Sequence, residues 1–100
     1  MAELTTIARP YAKAVLDYAS EKGAESAWIT YLARAAFICL DEQMVEVLKN
    51  PAVDLVSKMS ILTDLINDVS VDGAAAFIDS LGRHGRLLAI PAIAKEFERL

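Results

Sequence analysis

Residues 8–15, Ala8-Arg9-Pro10-Tyr11-Ala12-Lys13-Ala14-Val15, decide the fold of this 100-residue chain. Laid out at about 100° per residue, they open a helix running from about Thr5 to Lys22 and stopped by Gly23, a residue type that ends helices. On that helix Ile7, Tyr11, Ala14 and Tyr18 form one apolar strip, and Ala8, Ala12, Leu16 and Ala19 form a second, with Val15 bridging them. The combined arc is about 200°, against a little over 100° for an ordinary surface helix. One strip can face the protein's own core. The other must be covered by something else, and a second polypeptide is the natural candidate. Pro10 is expected in the first turn or so of this helix, where its missing N–H costs little.

Working outward, helical periodicity dominates and no alternating strand emerges. A second helix spans about Ala24 to Leu40, with Trp28, Leu32, Ala35 and Cys39 on one side. Asp41 is placed to cap a third through Lys49, which carries Met44, Val47 and Leu48 and ends at Asn50-Pro51. A fourth, about Asp54 to Asn67, aligns Leu55, Met59, Leu62 and Ile66. Asp72 is expected to cap a fifth, from about Gly73 to Arg83, broken by His84-Gly85. The sixth runs from about Leu87 to Leu100, with Ile90, Ile93, Ala94 and Phe97 inward and Lys95, Glu96, Glu98 and Arg99 solvated. Short connections favour antiparallel neighbours, so the fold class is all-α: a compact six-helix bundle in a single domain.

Composition narrows the function. The net charge of −4 argues against nucleic acid and against docking on anionic lipid heads, both of which need a basic surface. The start, Met1-Ala2-Glu3-Leu4-Thr5-Thr6-Ile7, has no secretory leader. The longest wholly apolar run, Ala35 to Leu40, is far short of the ~20 residues of a membrane span. One cysteine, Cys39, excludes an internal disulfide framework and fits a reducing, cytoplasmic setting. One histidine, His84, rules out a His-rich zinc site, and no phosphate-binding glycine loop or nucleophile–base pattern is present. No cofactor or metal is expected.

The opening Ala8-Arg9-Pro10-Tyr11-Ala12-Lys13-Ala14 resembles the start of the delta subunit of bacterial F-type ATP synthases, a family that includes the mitochondrial oligomycin-sensitivity-conferring protein. Trp28, the Asp41-Glu42-Gln43-Met44 stretch, Pro51 and the His84-Gly85-Arg86-Leu87 turn carry the same likeness. It extends over essentially the whole chain and corresponds to the family's amino-terminal helical domain. The carboxy-terminal region, through which the family engages the b subunit of the peripheral stalk, has no counterpart here. The resemblance implies a non-catalytic stator component on the cytoplasmic side of the bacterial inner membrane, without membrane insertion of its own. It also implies a groove between the first and fifth helices that receives the amino-terminal helical segment of an alpha subunit.

The fifth helix agrees with this placement. Beside its core face of Ala74, Phe77, Ile78 and Leu81, the residues Gly73, Ala76, Ser80 and Arg83 fall together on another side, mostly small, which lets another helix approach closely. The expected partner-binding residues are therefore Tyr11, Ala14 and Tyr18 with Ala76, Ser80 and Arg83. Two other classes compete. A death-fold-like adaptor would bind through charged patches and lose affinity in salt. A small helical enzyme would need convergent polar groups in its core, where the helical wheels place Ala, Leu, Ile and Phe.

Overall fold

The computed structural model describes residues 2–100, with side chains from Leu4 onward; Met1, where the leader is read as absent, lies outside the described residues. Six α-helices form in order: α1 (Ala2–Lys22), α2 (Glu25–Leu40), α3 (Glu42–Lys49), α4 (Leu55–Leu65), α5 (Ala74–Arg83) and α6 (Ile90–Arg99), with a 3-10 turn over Leu87–Ala89 ahead of α6. Among the described residues there is no strand.

The two strips of α1 separate as their spacing demands. Ala8, Ala12 and Ala19 are fully buried and Val15 nearly so, while Ile7, Tyr11 and Tyr18 are half-exposed and Ala14 is exposed. The small alanines let α6 lie close against α1, and α6 packs equally along α2. This gives the core its central layer, filled by Trp28, Leu32, Leu62, Ile66, Leu81, Ile90 and Ile93. The radius of gyration, 12.6 Å, is that expected of a single 100-residue domain, about 13 Å.

Helix ends follow local chemistry. Asp41 caps α3 by accepting from the Gln43 and Met44 amides, and Asp54 caps α4 through the Ser57 amide. The α5 terminus closes with Gly85 at φ +66°, the Gly85 amide bonding Gly82 O and the Arg86 amide bonding Leu81 O. This left-handed stop turns the chain back over the bundle.

Four expectations need correction. The first helix starts at Ala2 rather than Thr5, so Pro10 sits well inside it and one ladder bond is missing there. Asp72 does not cap α5: Gly73, at φ +92°, occupies that position without a side-chain cap, and the Asp72 carboxylate reaches α1 instead. Glu96 is not solvated. It is 7% exposed and lies between Arg9 (3.1 Å) and Arg99 (3.6 Å), joining the start of α1 to the end of α6. The α4 stripe is buried only in its second half: Leu62 and Ile66 are enclosed, Met59 is half-exposed, and Leu55 is exposed.

Candidate functional site

Tyr11, Ala14, Tyr18, Ala76 and Ser80 line one concavity of about 310 Å³, whose remaining surface comes from Val15, Trp28, Gly73 and Phe77. Five of the six residues expected at the site thus meet. Arg83 does not join them: its Nε donates to Asp79 Oδ2 at 2.7 Å, and its side chain is largely exposed. That ion pair holds the Arg83 guanidinium above its ordinary range, first through the hydrogen bond and then through the Asp79 charge.

The concavity exists because α1 packs on α6 and α2 while α5 packs on α4 and the Leu87–Ala89 turn, so the two helices do not pack closely on each other. They run antiparallel, since Tyr18 lies beside Gly73 at the start of α5 and Tyr11 lies beside Arg86 just past its end. Trp28 forms the floor and is the hub of an aromatic cluster. Its ring meets Tyr18, Tyr31 and Phe77 edge-on, with centroid distances of 6.4, 5.5 and 5.6 Å. Each such pair contributes about 0.5–1.5 kcal/mol beyond burial, so the walls are fixed to the floor. The Trp28 indole N–H is buried without a hydrogen-bond acceptor among the described residues.

Each tyrosine is also held at its tip by a residue distant in sequence. The Tyr18 hydroxyl donates to Asp72 Oδ2 at 2.8 Å. This bond raises the Tyr18 phenol above its ordinary pKa, with smaller contributions from desolvation and the Asp72 charge. Arg86 Nη1 donates to the Tyr11 hydroxyl at 3.3 Å, and the guanidinium carbon lies 5.8 Å from that ring's centroid. Lys22 Nζ stands 5.8 Å from the centroid of the Tyr18 ring. The result is an apolar trough with aromatic walls and a polar rim.

A second, larger concavity of about 710 Å³ lies where α2, α3 and the end of α4 converge, lined by Phe37, Leu40, Met44, Val47 and Leu65 among others. Phe37 and Leu40 are 71% and 68% exposed. The sequence reading missed it because that reading assigned only the buried face of the second helix. The signal was available in the apolar run Ala35–Leu40, too long for one face of a helix to hide.

The remaining singled-out residues are structural. Cys39 is enclosed, and burial pushes its thiol up to about 12. His84 ends α5, its Nδ1 lying 2.7 Å from Ser80 O. Among the described residues no three His, Cys, Asp or Glu side chains converge as metal ligands, and no helix is long and apolar enough to cross a membrane.

Comparison with known proteins accords with the opening motif. Residues 7–100 match the family model described as ATP synthase delta (OSCP) subunit. The chain is 39% identical over 101 residues to ATP synthase subunit delta of Chromohalobacter salexigens, 42% over 100 residues to that of Methylobacillus flagellatus, and 38% over 100 residues to that of Hahella chejuensis. All of this chain is covered in each case, against 56% of each relative, so the chain spans about half the length of the curated relatives it matches. A six-helix bundle carrying the Ala8–Ala14 opening and the His84–Leu87 turn, matched end to end at this level of identity, belongs to the ATP synthase delta (OSCP) subunit family.

Proposed function

We propose that these 100 residues are the amino-terminal helical domain of an ATP synthase delta subunit, a non-catalytic part of the stator, and that the α1–α5 trough seats the amino-terminal helix of an alpha subunit. Attachment to the b subunit of the peripheral stalk belongs to the carboxy-terminal region of the longer relatives. The assembly lies at the cytoplasmic face of the bacterial inner membrane, with this domain peripheral to it.

The observation that carries the reading is the convergence of Tyr11, Ala14, Tyr18, Ala76 and Ser80 on one concave, apolar surface. A helix laid there presents anchors at i, i+3, i+4 and i+7, each large buried side chain contributing about 1.5–3 kcal/mol. Walls already fixed by packing spare the ordering cost of binding, which favours slow dissociation. Slow release is what a tether needs if the catalytic head is not to turn with the rotor.

Calorimetric titration with a peptide of the alpha amino terminus tests this. Tyr11→Ala is expected to weaken binding by about 1–3 kcal/mol, and Ala14→Asp by more, because it places an unpaired charge in a tight apolar contact. Both variants stay folded, since Tyr11 is only half-buried and Ala14 is exposed. Affinity unchanged in both removes the trough as the seat. Affinity that collapses in high salt while both variants bind normally favours a charged-patch adaptor instead.

A further inference from the structure

We infer that Arg86 and Asp72 do more than hold the two tyrosines: they give the trough a positive and a negative end, and so select a helix whose apolar anchors are bracketed by a carboxylate at one end and a cation at the other. The inference rests on the trough being a helix seat. Its own support is electrostatic.

Among the described residues, the ion pairs consume Arg83 with Asp79, Arg9 and Arg99 with Glu96, and Arg34 with Asp68. Arg86 and Asp72 are in none of them. Arg86 faces the Tyr11 ring and hydroxyl, and Asp72 receives the Tyr18 hydroxyl. Each charge is therefore anchored by a neutral phenol, which orients it without cancelling it. Both are exposed at the rim.

The neighbouring charges keep this polarity. At the Tyr18 end, Asp17 and Glu21 are exposed on the outer flank of α1, beside the Ala14–Tyr18 strip by helical position, and Lys22 stands over the Tyr18 ring. Three carboxylates against one ammonium leave that end negative. At the Tyr11 end Arg83 and Arg9 are already paired, so Arg86 sets the sign. The helix dipoles of α1 and α5 oppose each other and contribute little net direction. Tyr11 and Tyr18 are seven residues apart, about 10 Å along the axis. An occupant thus carries its acidic and basic groups about two helical turns apart, the acidic one meeting Arg86 and the basic one meeting Asp72.

A set of synthetic amphipathic peptides tests this on the intact chain. The parent carries leucine anchors bracketed by Glu and Lys two turns apart, and the others replace Glu, Lys or both by Gln. Dissociation constants are read at low salt from Trp28 emission for the wild type, Arg86→Gln, Arg86→Lys and Asp72→Asn. Exposed rim pairs are modest, so Glu→Gln in the peptide is expected to weaken wild-type binding about two- to fivefold. The same change is expected to have no effect in Arg86→Gln and to regain its effect in Arg86→Lys. Lys→Gln is expected to couple to Asp72→Asn and not to Arg86. Mere misplacement of a tyrosine weakens all four peptides alike and creates no such coupling. Equal cost of Glu→Gln in the wild type and in Arg86→Gln overturns the inference while leaving the seat intact. Failure of the doubly neutral peptide to bind the wild type overturns the seat itself.

Discussion

Gly73→Ala probes how the wall of the trough is built. Gly73 has φ +92°, and a Cβ there would lie 2.9 Å from Tyr18 Cε2 and 3.2 Å from Cζ. The backbone alone costs about 1–2 kcal/mol, because a side chain is strained at positive φ. The ring cannot bend away as a flexible chain would. It must move as a body, stretching its 2.8 Å bond to Asp72 and its edge contact with Trp28. Losing these adds about 1 kcal/mol for the hydrogen bond and part of the ~0.5–1.5 kcal/mol for the ring pair. The total of about 2–4 kcal/mol is a large share of the stability of such a domain. It corresponds to a fall of about 10–20 °C in Tm for a chain of this length. The assay is urea and thermal unfolding of Gly73→Ala in the wild type and in a Tyr18→Ala background. In the second background only the backbone cost of about 1–2 kcal/mol remains. Equal cost in both backgrounds refutes the packing of Tyr18 against Gly73, and with it the fixed wall.

Glu96→Ala is expected to cost about 1–3 kcal/mol in urea unfolding, since a buried carboxylate shared by Arg9 and Arg99 is lost, and Glu96→Lys more, by placing a third cation between them. Burial raises Cys39 to about 12, and burial together with the nearby Cys39 charge raises Tyr31 to about 12. Both neutral forms are thus favoured by folding, and their contribution is whole below the unfolded values of 9.0 and 10.0 and lost as pH rises through 12. Chemical unfolding across that range is expected to show stability falling with alkalinity, with a shallower fall in Cys39→Ala and Tyr31→Phe. Alkylation of Cys39 in the folded protein is expected to run about a thousandfold slower than in urea, from thiolate scarcity alone. Spectrophotometric titration of Asp72→Ala is expected to return the Tyr18 phenol toward its ordinary 10.0, because the bond and charge that raise it are gone.

Much of the fold was legible because it depends on local rules. The buried strip of α1, the Asp41 cap, the Gly85 stop and the inward face of α6 each follow from spacing or from a single residue's conformational preference. Of the trough, the contacting residues were legible as an excess of apolar arc on α1 and a small-residue face on α5. What could not be read were pairings across the chain: Asp72 to Tyr18, Arg86 to Tyr11 and Arg9 to Glu96 span 54, 75 and 87 residues. Asp72 is instructive. Its position before a helix matches a capping rule, yet a phenol on another helix claims the carboxylate and a glycine takes the cap. Arg83 fell on the correct side of α5, but its i−4 neighbour Asp79 draws it along its own helix.

Amide chemical-shift mapping of the 15N-labelled protein, titrated with the alpha amino-terminal peptide, puts the two concavities in direct competition. The largest perturbations are expected at Tyr11, Ala14, Tyr18, Ala76 and Ser80, with the amides around Phe37, Leu40 and Met44 unmoved. Perturbations centred on Phe37, Leu40 and Met44, with the α1 and α5 amides silent, would place the partner on the larger hollow and overturn the α1–α5 trough as its seat.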